Sequence, residues 1–260
     1  MADWNPALYA RYEDERTRPA AELLARVPLA APRSAVDIGC GPGNSTELVA
    51  RRFPQAALLG IDTSEAMLAS ARQRLPGVGF ALGDAAVWRP DRSPELIYSN
   101  AALQWVPDHA ALLPRLFDLL APGGVLAVQM PDNLAEPSHR LMREIAASGP
   151  WSAAIGDPDV AGRVGRMLPV ARYYDLLAPA AAGLDLWHTV YQHPMADARA
   201  IVDWVSATGL RPFVDGLTPA LKAGFLSAYE AAIAAAYPAR ADGRRLLAFP
   251  RLFIVARKAG

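Results

Sequence analysis

The sequence predicts an α/β fold built on an open, mostly parallel sheet, and three observations predict it. Short apolar runs recur just ahead of Asp37, Asp62, Asp84 and Asn100. Helical patterns fill the intervals between them. Gly39, Gly41 and Gly43 stand at alternate positions directly after the first run. An apolar run, a glycine turn and a helix start together describe a ligand-binding edge of such a sheet.

The elements follow in order. Ala35-Val-Asp-Ile38 reads as a buried strand, and Gly39 to Gly43 as a tight turn whose backbone can approach a ligand without Cβ atoms in the way. Asn44 is the expected cap of the next helix, with Glu47 at capping-box spacing. Leu58 to Asp62 is a second strand, ending in an acid roughly twenty residues past the turn, where a carboxylate can accept ribose hydroxyls. Thr63-Ser64 cap a helix with Met67, Leu68, Ala71 and Leu75 on one face. Val78 to Asp84 gives a third strand, Glu95 to Asn100 a fourth, and Ala121-Pro-Gly-Gly124 turns into a fifth, Val125 to Gln129.

The second half departs from simple βα repetition. Ser138 to Ala147 and Val170 to Leu177 read as helices around a Gly/Pro/Asp-rich stretch. Leu184 to Tyr191 alternates strongly, as an edge or half-buried strand does. Residues 197–237 are helical with breaks at 208–212 and 217–219, and Phe249 to Ala256 is a last strand in which Pro250 favours the beginning or an edge. The expectation is a single domain over 1–260, with helical insertions at about 134–170 and 196–246 forming a lid over the strand ends.

The turn narrows the ligand. It reads G-x-G-x-G, not the G-x-G-x-x-G of dinucleotide folds, and it lacks the Lys-Ser/Thr of a P-loop. Pro42 removes an N–H that a pyrophosphate would use, so the turn suits a smaller group such as an amino-acid carboxylate, and a dehydrogenase is disfavoured. Composition excludes other classes. With 26 basic and 26 acidic residues the net charge is zero, which gives no field for nucleic acid or an anionic membrane. No apolar stretch reaches spanning length and the N-terminus is no signal peptide, which points to the cytoplasm. The single cysteine, Cys40, excludes an internal disulfide, and His109, His139, His188 and His193 show no metal-ligand spacing. No protein partner and no metal are expected.

Asp37-x-Gly39-x-Gly41-x-Gly43 resembles motif I of the class I S-adenosylmethionine (SAM) methyltransferases. The narrower phrases resemble the trans-aconitate 2-methyltransferase family. They are Asp3-Trp-Asn-Pro6 with Tyr9, Gly60-Ile-Asp-Thr-Ser64, Asn100-Ala-Ala-Leu-Gln-Trp-Val-Pro-Asp-His109 and Leu126 to Asn133. Glu136-Pro-Ser-His139, Leu141-Met-Arg-Glu144, Tyr173-Tyr-Asp175, Ala207 to Pro212 and Leu247 to Arg257 continue the likeness, and residues 148–170 match least.

That resemblance implies a Rossmann-like, seven-stranded, mostly parallel sheet with one antiparallel strand near the C-terminal end. It implies SAM as cofactor, S-adenosylhomocysteine (SAH) as product, and esterification of one carboxylate of a small tricarboxylic acid. On the cofactor side it implicates Asp37, Gly39, Gly41, Gly43, Asp62, Thr63, Met67, Asp84, Ala85, Asn100 and Gln104, with Asp84 at the adenine amino group. Arg18 is a candidate for the cofactor carboxylate and Tyr9 for folding over the site, the alternative being packing of an extra N-terminal helix. On the acid side the candidates are Tyr9, Trp105, His139, Arg143, Tyr173, Tyr174 and Arg211, the arginines because their forks hold carboxylates bidentately. A carboxylate is already ionised near neutrality, so no catalytic acid or base is expected. The rival readings are a methyltransferase for another small acceptor and a non-catalytic SAM-binding module. Asn100-Ala-Ala-Leu103, where nucleic-acid amino-methyltransferases carry Asn/Asp-Pro-Pro-aromatic, disfavours that class.

Overall fold

A computed structural model describes residues 13–161, 167–206 and 209–260. Its elements run α1 (Glu13–Ala25), β1 (Ser34–Ile38), α2 (Asn44–Arg52), β2 (Ala57–Asp62), α3 (Glu65–Arg74), β3 (Gly79–Leu82) and β4 (Leu96–Asn100). A 3₁₀ turn (Leu103–Trp105) leads into α4 (His109–Asp118) and β5 (Val125–Pro131). Then come α5 (Pro137–Ser148), α6 (Ser152–Ile155), α7 (Pro158–Ala161), α8 (Val170–Leu177) and β6 (Ala181–Met195). Helices α9 (Ala198–Ser206), α10 (Arg211–Val214) and α11 (Pro219–Ala236) precede β7 (Arg245–Lys258).

The strands form one seven-stranded sheet in the order β3-β2-β1-β4-β5-β7-β6. The pairs from β3 through to β5 are parallel. Strand β7 runs against β5: Lys258 N–H donates to the Gly124 carbonyl (2.8 Å) and Asp132 N–H to the Pro250 carbonyl (2.9 Å), so one register rises as the other falls. Strand β1 has β2 on one side and β4 on the other, so the order reverses there and a crevice opens at the carboxyl ends of β1 and β4. Pro250 corrects the sequence expectation, because it lies well inside β7, an interior strand. In an antiparallel strand the N–H and C=O of one residue point the same way. Pro250 O takes the N–H of Asp132, one residue beyond the end of β5, so the missing donor falls where that ladder stops.

Contacts group the chain into two units, and β6 and β7 contribute residues to both. The first holds Met1–Met130, Met167–His188 and Leu252–Gly260. Its core is aliphatic. Ile97, Leu113, Leu116, Leu126, Val128 and Ile254 are fully buried, each stabilising the fold by about 1.5–3 kcal/mol. Apolar runs buried on both faces, such as Leu96–Tyr98 in β4, are what a central parallel strand requires. Helix α3 is capped by Ser64, whose hydroxyl accepts Met67 N–H at 3.3 Å, and it buries Met67, Leu68 and Ala71 as its spacing predicts. Helix α1 packs on α2, and Tyr98 in β4 reaches under it to donate to Ala20 O at 2.6 Å.

The second unit holds Pro131–Arg166 and Thr189–Arg251. Helix α11 packs against α5 and α9. Tyr229 donates to Ser138 O (2.6 Å) and Tyr237 accepts Ser138 N–H (3.0 Å), so two tyrosines hold the start of α5. Trp151 donates to Ile145 O at 2.7 Å and meets Phe225 edge-on at 5.4 Å. The alternation expected over Leu184 to Tyr191 slips at Leu186 and Trp187, both half-buried, and runs strictly from there on, with Tyr191, His193 and Met195 buried between exposed neighbours.

Candidate active site

The glycine turn is held by β2. Gly39 N–H and Cys40 N–H both donate to Ile61 O, at 2.8 and 3.0 Å. All three motif glycines have positive φ, at 70°, 52° and 93°, a region that L side chains rarely adopt. A Cβ on Gly39 would also stand 2.1 Å from Ala102 Cβ, so that position is closed to any other residue on two counts. A Cβ on Gly41 would meet no atom within 4 Å, because Gly41 opens on a cleft. That cleft is lined by Thr17, Gly39, Gly41, Asn44 and Asn100 among others. Asn44 is not the helix cap the sequence suggested. Gly43 occupies the cap position in a left-handed conformation, its carbonyl accepting Glu47 N–H at 2.9 Å, and Asn44 is the first helical residue.

Asp37 is fully buried. Its Oδ2 accepts the hydroxyls of Ser45 (2.7 Å) and Thr46 (2.6 Å), while Oδ1 has no partner among the described residues. Burial pushes the carboxyl up from 3.8 to about 6, against the pull of those two hydroxyls and with a further push from the charge of Asp62. Asp62 braces the turn: Oδ2 accepts Gly41 N–H and Oδ1 accepts Ser64 N–H, both at 2.9 Å. A carboxylate has about four acceptor positions, so two remain for a pair of hydroxyls. Exposed Asp84 takes Ala86 N–H on Oδ1 at 2.8 Å.

The three acids do not form a level row. Asp37 pairs with Gly60 and Asp62 with Leu82, so each acid lies two residues farther along than the one before. At a strand rise of about 3.3 Å the steps are roughly 7 Å each, a staircase suited to an extended ligand. Asn100 Oδ1 and Gln104 Oε1 are likewise buried without partners among the described residues, and Gln104 Nε2 donates to Ala101 O at 2.7 Å. Of these residues Asn100 lines the cleft, where its oxygen offers an acceptor to an ammonium, amino or hydroxyl donor of a ligand. Met67 and Ala85 are buried nearby in sequence, and Thr63 is exposed at the end of β2.

The other expected residues are more scattered. Arg18 is exposed on α1 and pairs with Glu22 at 2.8 Å. Tyr9 lies outside the described residues. Trp105 is 37% exposed in the 3₁₀ turn and Tyr174 is 54% exposed on α8. Tyr173 has no exposed surface, and its hydroxyl sits 2.5 Å from His109 Nδ1, so here it offers nothing to an acid. In the second unit, Arg143 donates to Leu134 O (3.0 Å) and His139 O (3.4 Å). His139 is buried, and burial plus the Arg143 charge lower its pKa from 6.5 to about 4. A Cβ on Gly209 would lie 3.0 Å from His139 Nε2, which puts the turn before Arg211 against that ring. Arg211 Nε donates to Asp215 at 3.1 Å.

Sequence reasoning missed four contributors. Ser45 and Thr46 supply the hydroxyls on Asp37, and their position just after the glycine turn was the available signal. Arg115, on α4, donates to Trp88 O (2.8 Å) and to Ala85 O, clamping the loop after Asp84. Ala101 follows Asn100 with φ 54°, a left-handed conformation at a non-glycine residue that no pattern announces.

Residues 35–124 match the family described as a methyltransferase domain. The chain is 75% identical to a trans-aconitate 2-methyltransferase of Methylobacterium radiotolerans, covering all of both chains. It is 66% identical to one from Variovorax paradoxus over 99% of both, and 57% identical to one from Yersinia pestis over 98% of both. Among solved structures, YcgJ of Bacillus subtilis superposes with a TM-score of 0.60 at 14% identity, covering 94% of this chain and 99% of that one. A Haemonchus contortus phosphoethanolamine N-methyltransferase 2 in complex with SAM has a TM-score of 0.54 at 18% identity, over 94% of this chain and 53% of that one. At such identities the structures speak to the fold alone. Identity over the full length is what decides the lineage: the chain belongs to the trans-aconitate 2-methyltransferase family and has the Rossmann-like fold of class I methyltransferases.

Proposed function

We propose that this chain transfers a methyl group from SAM to a carboxylate of trans-aconitate, giving the monomethyl ester and SAH. Full-length identity of 75% to a relative bearing that name carries the reading. When bound, the cofactor supplies an electrophilic methyl group on a sulfonium.

The residues fit such a ligand. Asp37, Gly39, Gly41 and Gly43 would take its amino-acid end, with Arg18 toward the carboxylate. Asp62 would take the ribose hydroxyls, with Thr63 and Met67 beside it. Asp84 and Ala85 would take the adenine, and Asn100 and Gln104 would give acceptor oxygens. The carboxylate acceptor is ionised at neutral pH and needs no base. The chain's task is to hold one carboxylate oxygen in line with the methyl group and to keep water away. Arg143, Arg211, His139, Tyr174 and Trp105 are the groups proposed for the acid, the arginines for its remaining carboxylates.

The test is a mass-spectrometric endpoint assay with SAM and trans-aconitate, cis-aconitate, isocitrate, citrate or no acid. Ester formed mainly from trans-aconitate, with matching SAH, is the expected result. SAM binding by calorimetry without turnover of trans-aconitate would overturn the substrate and keep the cofactor.

A further inference from the structure

We infer that His109 and Tyr173 are positioning residues for the methyl-transfer site, acting through the segment Asn100–Trp105. The inference deepens the function proposed above and rests on it for the reaction, though not for the geometry.

Asn100 and Ala101 line the cleft at the end of β4. The chain then folds into the 3₁₀ turn and enters α4 at His109. Three ties fix this piece. Ala101 N–H donates to Gln129 O in β5 at 2.9 Å. Gln104 Nε2 donates to Ala101 O at 2.7 Å, which orients the amide and its buried Oε1. His109 Nε2 lies 2.9 Å from Leu103 O.

That last contact sets a proton. A carbonyl oxygen only accepts, so this contact selects the Nε2–H tautomer, in which Nδ1 is an acceptor. Tyr173 Oη, 2.5 Å from Nδ1, is then the donor. The hydroxyl has one proton and a second possible acceptor in Met167 Sδ at 3.7 Å, and the nitrogen is the nearer and better one. Leu168 N–H donates to the same Oη at 3.1 Å, which turns the hydroxyl proton toward the imidazole. The relay therefore has one direction: Leu168 N–H to Tyr173, Tyr173 to His109, His109 to Leu103. Both rings are buried, so water does not replace any link. The relay pins the residue before Gln104 and Trp105 to α8.

Glutamine and asparagine separate the two ring nitrogens. A glutamine amide reaches the place of Nε2 and can still donate to Leu103 O, whereas asparagine reaches only the place of Nδ1. His109→Asn is expected to lower kcat about tenfold or more, a size typical of sub-ångström misplacement, with a smaller change in SAM KM. His109→Gln is expected to recover kcat to within about threefold of wild type. In protein labelled with 5-fluorotryptophan, the Trp105 ¹⁹F resonance, assigned by Trp105→Phe, should move in His109→Asn and return only part of the way in His109→Gln, which keeps the Leu103 bond but lacks the acceptor for Tyr173. Tyr173→Phe serves as a second variant if His109→Asn does not fold, and it too should move that resonance. Asn and Gln variants with equal kcat, or a Trp105 signal unmoved in every variant, would overturn the assignment. A wild type that binds SAH yet leaves trans-aconitate unmethylated would overturn the reaction instead, and the fluorine spectrum would still decide the relay.

Discussion

Asp37 presents a trade between stability and binding that one substitution exposes. Its carboxyl is raised from 3.8 to about 6, with burial the largest cause. The folded state therefore holds a proton that the unfolded state has released between about pH 4 and 6, and stability falls as pH rises through that window. Two pKa units correspond to about 3 kcal/mol at pH 7.5, and roughly half of that is already lost at pH 5. In Asp37→Asn the amide oxygen can keep the hydroxyls of Ser45 and Thr46, now at 2.7 and 2.6 Å from Oδ2, and the charge is gone. Against this, the new NH₂ is buried where Oδ1 has no described partner, costing about 1–3 kcal/mol. The variant without ligand should thus be between equal in stability and about 2 kcal/mol more stable at pH 7.5. The assay is urea unfolding of both proteins at pH 5.0 and 7.5. The variant's advantage should grow by about 1.5 kcal/mol at the higher pH, while its SAH affinity by calorimetry falls about tenfold or more for want of a charged acceptor. A stability difference that does not change with pH would refute the reasoning.

Other substitutions probe separate parts of the molecule. Asp62→Ala should weaken SAH binding about tenfold or more in calorimetry, whereas Arg211→Ala should chiefly raise the KM for the acid; equal loss of SAH affinity in both would sink that division. His139 is depressed from 6.5 to about 4, so its contribution is complete above pH 6.5 and is lost as pH falls toward 4. Wild type should lose up to about 3 kcal/mol from this group over that range, and His139→Gln should flatten the profile in a pH series of urea titrations. Gly39→Ala combines φ 70° with a Cβ only 2.1 Å from Ala102 Cβ, and should cost about 3 kcal/mol or more by thermal unfolding; a near-wild-type melting temperature would contradict the packing.

The sheet and its glycine turn were legible because local chemistry determines them. A buried strand needs an apolar run, and a left-handed turn needs glycine, so Ala35 to Gly43 could be read directly. The cap of α2 was misread because Gly43 and Asn44 both suit a helix start, and only the 93° φ of Gly43 distinguishes them. Pro250 was misplaced because a ladder's end depends on where β5 stops, which is a tertiary fact. The acid-side residues were the least legible. Tyr173 and Leu177 share a face at i,i+4 spacing, and both prove fully buried, yet a hydroxyl on that face looks the same in sequence whether it meets a substrate or a histidine. Arg143 looks like a free fork until its donors are found on two backbone carbonyls.

Cys40 gives the molecule an internal reporter. It is the chain's one cysteine, 3% exposed, with Sγ so close to Gly60 that a Cβ there would lie 3.0 Å from it. Burial, and then the charges of Asp37 and Asp62, push its thiol well above the ordinary range. Alkylation therefore requires the thiol to leave this packing and ionise in water. The labelling rate measures how often this happens, at a single unambiguous site and without a mutation. Any compound that fills the cleft should slow that clock, so the wild-type protein can screen its own ligands.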